Sequence, residues 1–400
     1  MITVLLGRLI DGVSNTAIEN GLVAIEGERI VFAGEARDFV VPQGADVITA
    51  DTILPGFIDC HAHLSGEENA GDFADGALFG DQLMGAAYQV GILLDAGFTG
   101  IRDMSEAGFY LSRAQQRGIL RSPRIMPGGK VLSITSGHVD MRPDMTKQAF
   151  NAADHNCRLC DGIDDCVLAV REQFRKGARF IKICATGGVS SPTDRIDDVQ
   201  FSPEELRAMV EEAKRHHTYV AAHCTGNEGA YQALLAGVES IEHGVMLSQR
   251  EIDLMAKTDA TLVTTLAIAL GVAKNLTLPE WMKRKVETVA ECNMKTIEMA
   301  RKAGIRIALG TDFGNGERTS YAKNGREFAA MTEAGMTPME AIKAGTSNAA
   351  HLLLNNEVGV LAKGMLADVV LAKGNPLEDI TCIGDKENIV GVFLGGKRVK

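Results

Sequence analysis

Between residues 57 and 356 the chain repeats one pattern eight times: a short, almost unbroken apolar run, in most cases followed by a longer stretch with helical periodicity. The runs are GFIDCHAH ending near His61, GFTGIRDM near Asp103, PRIMPGG near Gly128, ARFIKICA near Lys182, TYVAAHC near His223, VESIEHG near His243, ATLVTT near Thr264 and IRIALGTD near Asp312. A run without apolar/polar alternation marks a strand buried on both faces, as in a parallel sheet covered by its crossover helices. The stretches between carry helix signals, such as SPEELRAMVEEAKRHH with Ser202 placed as N-cap. Eight βα units predict an α/β fold closed as a (β/α)8 TIM barrel. An open doubly wound sheet fits less well, because no glycine-rich phosphate loop follows the first run and chemistry-bearing residues occur at many strand ends instead of one switch point.

Both termini read differently. Residues 1–56 contain ITVLLGRLI, then GLVAIEGERIVFAGE with a hairpin turn at Gly27-Glu28, then ADTILP; from 357 onward come LADVVLA and IVGVFLGGKRV. Neither piece can bury both its faces alone, so residues 1–56 and 357–400 are expected to form one small β-sandwich domain beside a 57–356 barrel domain.

Composition narrows the partners. With 46% apolar residues in 400, the chain can build a large core. A net charge of −11 argues against a surface that neutralises nucleic-acid phosphate or anionic lipid, so a small-molecule substrate is expected. No apolar run approaches the roughly 18–20 residues that span a bilayer, and the opening MITVLLGRLIDG lacks the pattern of a secretory signal. Eight cysteines are too few for a disulfide scaffold at this length, which points to reduced thiols and the cytoplasm. The cluster HNCRLCDGIDDC, His155 to Cys166, is read as a loop of free thiols in preference to a zinc site, because no second close pair follows it.

His61 and His63 lie two apart at a strand end, where period-two geometry gives them the same face. His223, His243 and Asp312 end three further strands, so all five groups face one barrel mouth, where catalytic groups collect in this architecture. Imidazole and carboxylate ligands suit zinc, with manganese, iron or cobalt as alternatives. Lys182 stands inside a buried strand, where desolvation favours the neutral amine, and a neutral amine can add carbon dioxide to become a carbamate able to bridge two ions.

Together LPGFIDCHAHL at 54–64, the lysine of IKICATGG at 181–188, AAHC at 221–224, SIEHG at 240–244 and LGTDFG at 309–314 resemble the amidohydrolase superfamily over nearly the whole chain. The resemblance implies two divalent metal ions. His61 and His63 would bind the buried one and His223 and His243 the more exposed one. Lys182 as a carbamate would bridge them, and Asp312 would bind the buried ion and handle protons. Mononuclear deaminases of the superfamily carry a glutamate three residues after the fifth-strand histidine; here that position is Gly226, with Glu228 five after His223, so deamination is disfavoured. Imidazolonepropionase is similar in its first and last motifs but lacks the bridging lysine. The dinuclear prolidase-like branch is nearest, and ATGGVSSP and TSGHVD are similar to its pattern.

The expected activity is hydrolysis of a dipeptide amide, Xaa-Pro or N-acyl-proline, by a metal-bridging hydroxide, with Asp312 moving the proton. His138, in the loop ITSGHVDMR, is expected to stabilise the oxyanion. Tyr231 and Arg195 are expected to meet the substrate carboxylate. The alternatives are a carboxypeptidase for C-terminal Arg or Lys, which needs an acid such as Asp194, Asp197 or Asp198, and an imidazolonepropionase-like cyclic amide hydrolase. A non-catalytic scaffold on the same fold is disfavoured because all six ligand positions are filled. By resemblance alone, a homo-oligomer is expected.

Overall fold

Each of the eight apolar runs forms a strand of the barrel wall: Phe57–Ala62, Phe98–Asp103, Arg124–Pro127, Ile181–Cys184, Val220–Cys224, Ser240–His243, Thr261–Val263 and Ile307–Ala308. The computed structural model describes residues 2–64, 79–153, 156–191, 194–273, 280–314 and 321–400. Neighbouring wall strands pair in parallel. The ring closes where the Cys60 amide donates to Leu309 O at 2.8 Å and Ala62 bridges Phe313.

The third strand is broken. Pro127 and the two glycines after it interrupt the ladder, so Arg124–Pro127 pairs with the second strand while Val131–Ser133 pairs with the fourth. Beside this second piece lies an additional parallel strand, Cys157–Leu159, in the segment expected to be a loop. Three residues give no readable periodicity, yet Cys157 and Leu159 bury against Phe150 and hold the strand in place.

Burial on both faces accounts for the continuous apolar runs. Ile181, Ile183, Val220, Ala222, Ile241 and Leu262 pack outward against the helices in the main core. The alternate positions Cys184, Ala221 and Val263 join Ile58, Cys60, Leu352 and Leu353 in an inner cluster. The helix Pro203–Arg215 begins as predicted: Ser202 accepts from the Glu205 amide and Glu205 accepts from the Ser202 amide, a reciprocal cap worth about 1 kcal/mol.

The terminal segments pair into one seven-stranded sheet that joins Ile2–Leu9, Ile18–Glu26, Arg29–Glu35 and Asp46–Pro55 to Val369–Ala372, Ile389–Leu394 and Lys397–Arg398. Gly27, at φ +60°, makes the expected hairpin turn. This sheet curls back on itself like a sandwich: the Ile30 amide donates to Met365 O, and Gly396 sits so close to the Gly27 carbonyl that a Cβ there would fall 1.9 Å from its oxygen. Leu5, Val23, Ile53, Val369 and Phe393 fill the fold of the sheet, while Leu54, Val370 and Val392 face the barrel core. No described helix is long and apolar enough to cross a membrane.

Candidate active site

The carboxyl ends of the first, fifth, sixth and eighth strands bring the predicted side chains to one mouth of the barrel. The His61 ring lies 5.4 Å from His63 and 4.7 Å from His243; His243 is 4.6 Å from His223, and His138 stacks on His223 at 4.4 Å. Asp312 Oδ1 is 3.0 Å from His63 Nε2 and 3.4 Å from His61 Nε2. Among the described residues, His61, His63 and Asp312 form a group whose ligand atoms all lie within 4.8 Å of one another, as a metal ion requires. The first strand is not regular here, since its register shifts between Asp59 and Ala62, and both histidines still reach Asp312.

Local backbone geometry is costly at this mouth. His243 (φ 66°) and Asp312 (φ 57°) occupy the left-handed region, which side chains other than glycine adopt rarely, and such strain concentrates at functional sites. Asp312 is held there by its own amide, which donates to His61 O at 2.7 Å.

The hydrogen bonds fix which ring nitrogens face inward. His61 Nδ1 is 2.7 Å from Glu242 Oε2, so its proton belongs on that side and the Nε2 lone pair faces the Asp312 carboxylate. Two acceptors then confront one another, an arrangement that a cation between them relieves. His243 Nδ1 pairs with Thr265 Oγ1 at 2.8 Å and His223 Nε2 with Gly187 O at 3.2 Å, leaving His243 Nε2 and His223 Nδ1 as free ligand atoms. Burial opposes ionisation of Asp312, but the neighbouring His61 and His63 rings outweigh it and hold its carboxyl well below the usual range. Burial, then the neighbouring His138, push His223 well below an ordinary imidazole; burial, then His61, do the same to His243. Neutral imidazole is the form that binds metal.

Lys182 is 2% exposed, and its Nζ has no hydrogen-bond partner among the described residues. Burial lowers its pKa, favouring the free amine. The nearby Glu242 does not pair with it, because Oε1 takes Arg102 Nη2 and Ser240 Oγ, each at 2.6 Å, and Oε2 takes His61. An orphaned amine beside a converging histidine and aspartate set fits a carbamate-bridged metal site.

Arg102 and Glu242 were missed by sequence reasoning, although a signal existed. GFTGIRDM places Arg102 and Asp103, and VESIEHG places Glu242, inside a buried strand, the same anomaly that singled out Lys182. The Arg102 guanidinium also donates to Tyr219 and Ser240 at 3.1 Å and to Cys60 O, and it lies 5.1 Å from the Phe180 ring centroid.

The expected substrate-side residues divide. His138 is buried, with Nδ1 2.8 Å from Ser191 Oγ and 3.3 Å from Asp194 Oδ2. Tyr231 is half-buried with the Arg250 guanidinium 4.0 Å above its ring. Arg195 does not join the mouth cluster: its side chain is 78% exposed and pairs with Asp197 at 3.3 Å, a local ion pair within its own loop. Of the acids that a Lys- or Arg-directed pocket would need, Asp194 is bound to Lys285 and His138, while Asp197 and Asp198 are exposed and contact Arg195. In the cysteine cluster, His155 lies outside the described residues. Cys160 and Cys166 lie against each other in the main core and Cys157 packs into a separate one, and among the described residues the three do not form a group of metal ligands. None of the eight cysteines is in a disulfide.

The amidohydrolase family profile matches residues 52–399. An ochratoxinase from Aspergillus niger is 33% identical over 424 aligned positions, covering 98% of this chain and 85% of the relative. An imidazolonepropionase from Sphingopyxis alaskensis is 27% identical, covering 92% and 90%. The crystal structure of a prolidase complexed with N-methylphosphonate-L-proline superposes with a TM-score of 0.93 at 34% identity, over 100% of both chains. The barrel, its split terminal sheet and the histidine and aspartate set at its mouth agree with these matches: the chain belongs to the amidohydrolase family, in its prolidase-like branch.

Proposed function

We propose that this enzyme is a dinuclear metal-dependent dipeptidase that hydrolyses Xaa-Pro dipeptides or N-acyl-prolines. The observation that carries the reading is the convergence of His61, His63 and Asp312 beside the Lys182 amine, which has no hydrogen-bond partner among the described residues. His61, His63 and Asp312 would hold the buried ion and His223 and His243 the outer one, with the Lys182 carbamate between them and zinc as the ion this donor set suits. When bound, the ions supply Lewis-acid polarisation of the scissile carbonyl and acidify water.

The chain's own residues do the rest. Asp312 accepts the proton of the attacking water at a carboxylate oxygen and returns it to the departing nitrogen. His138, anchored at Nδ1 by Ser191 and Asp194, keeps Nε2 for the developing oxyanion. Tyr231 supplies a hydroxyl to the substrate carboxylate, and Arg195 would join it only by leaving Asp197. Support for proline as leaving residue comes from the prolidase holding N-methylphosphonate-L-proline, and from the prior engagement of Asp194, which weakens a basic-residue pocket. Eight cysteines outside any disulfide favour the cytoplasm, and the net charge of −11 disfavours nucleic acid and anionic membrane as partners. A homo-oligomer is carried by the family resemblance alone.

A dipeptide panel read by release of the C-terminal residue tests the specificity. Xaa-Pro should exceed Xaa-Arg, Xaa-Lys and Xaa-Phe in kcat/KM by about tenfold or more, the scale that pocket fit provides. Preference for Arg or Lys would identify the carboxypeptidase alternative. Turnover of only a cyclic amide would identify the imidazolonepropionase-like one.

A further inference from the structure

We infer that Lys285 and Asp194 are positioning residues for His138, so that the helix Glu280–Lys302 sets the orientation of the imidazole assigned above to the oxyanion. This rests on that assignment of His138.

Lys285 leaves the helix and ends inside the loop that follows the fourth strand. Its Nζ donates to Gly188 O at 2.9 Å, Ser191 O at 2.7 Å and Asp194 O at 2.6 Å, with Asp194 Oδ1 at 3.2 Å. The loop curls its carbonyls around one ammonium. A neutral side chain there would leave several acceptors unpaired. Lys285 is 16% exposed and Asp194 only 1%, so this is no solvated surface pair. Trp281, one turn earlier on the helix, places its ring centroid 5.5 Å from the same ammonium.

The other side of the cradle faces His138. Asp194 Oδ2 accepts the Gly188 amide at 2.9 Å and lies 3.3 Å from His138 Nδ1, while Ser191 Oγ stands 2.8 Å from that nitrogen. Gly188 packs flat on the ring: a Cβ there would sit 2.3 Å from a His138 ring carbon. With the His223 ring stacked at 4.4 Å, the imidazole is held by ring contact and along its Nδ1 edge. Among the described loop residues, Gly188, Ser191 and Asp194, which touch His138, are thus also bound, through backbone or carboxylate, to Lys285.

A mutant cycle on the metal-loaded enzyme with alanyl-proline separates this role from simple stabilisation. His138→Ala and Lys285→Met should each lower kcat about 100-fold, the scale of losing one oxyanion donor. KM and metal content should stay within about twofold, and Lys285→Arg should recover most of the loss by restoring the cation. Adding Lys285→Met to His138→Ala should cost nothing further, because both act through one group. In parallel, the 15N resonances of the His138 ring, which need no substrate, should shift or broaden in Lys285→Met and in Asp194→Asn. Additive losses, or ring signals identical to those of the parent in both variants, would overturn the coupling. If His138→Ala itself leaves kcat unchanged, the oxyanion assignment fails, and the ring signals alone then decide whether Lys285 orients His138.

Discussion

Replacing Lys182 by alanine is expected to lower turnover by more than about 10³-fold, the equivalent of removing several kcal/mol of metal-derived stabilisation. The expectation follows from the site's chemistry. A lysine at 2% exposure is retained only where its amine is paired or chemically altered, and this Nζ has no partner among the described residues. The nearby anion, Glu242, already serves Arg102, Ser240 and His61. Addition of carbon dioxide turns the amine into an anion with two oxygens and releases one proton, supplying what the converging imidazoles lack. The alanine variant should therefore also lose bound metal. A variant that keeps full turnover would remove the carbamate from the account while leaving the fold intact.

Arg102→Met should destabilise the protein by about 3–5 kcal/mol, the cost of leaving one partner of a buried ion pair uncompensated. Both side chains are fully buried, and the guanidinium makes bonds to four residues around the barrel. Burial works against the charge on Glu242, yet Arg102, helped by His61, keeps its carboxyl below the ordinary glutamate range. Glu242→Gln preserves shape and should cost less stability, but it weakens the anchor that fixes the His61 tautomer. Metal affinity should then fall about 10–100-fold, as measured by chelator competition. If Arg102→Met unfolds in urea at the parent midpoint, the pair is not the structural link between the barrel centre and His61.

How much of this was legible depended on the distance between partners along the chain. The eight wall strands could be read because burial on both faces writes itself as local apolar runs, and His61 with His63 because their spacing is local. The strand Cys157–Leu159 is too short to carry a period. The Arg102–Glu242–His61 relay joins residues 140 and 181 positions apart, so one sequence shows the lone charges but not their pairing. Arg195 pairs locally with Asp197, two positions on, a partner that its loop sequence alone did not single out. Lys285 was illegible for another reason. On a helix with many charged residues it looks like any solvated lysine, and only the curl of the loop after the fourth strand reveals its three carbonyl partners.

In the proposed site, residues from five barrel strands would cage paired cations around a carbon dioxide adduct of Lys182. Elemental analysis of protein prepared with excess zinc and 13C-bicarbonate, combined with its 13C spectrum, tests this most directly. Roughly two divalent ions per chain are expected, with one carbamate carbon resonance that Lys182→Ala abolishes. Protein that stays near zero metal, or binds metal with no carbamate signal, would contradict it.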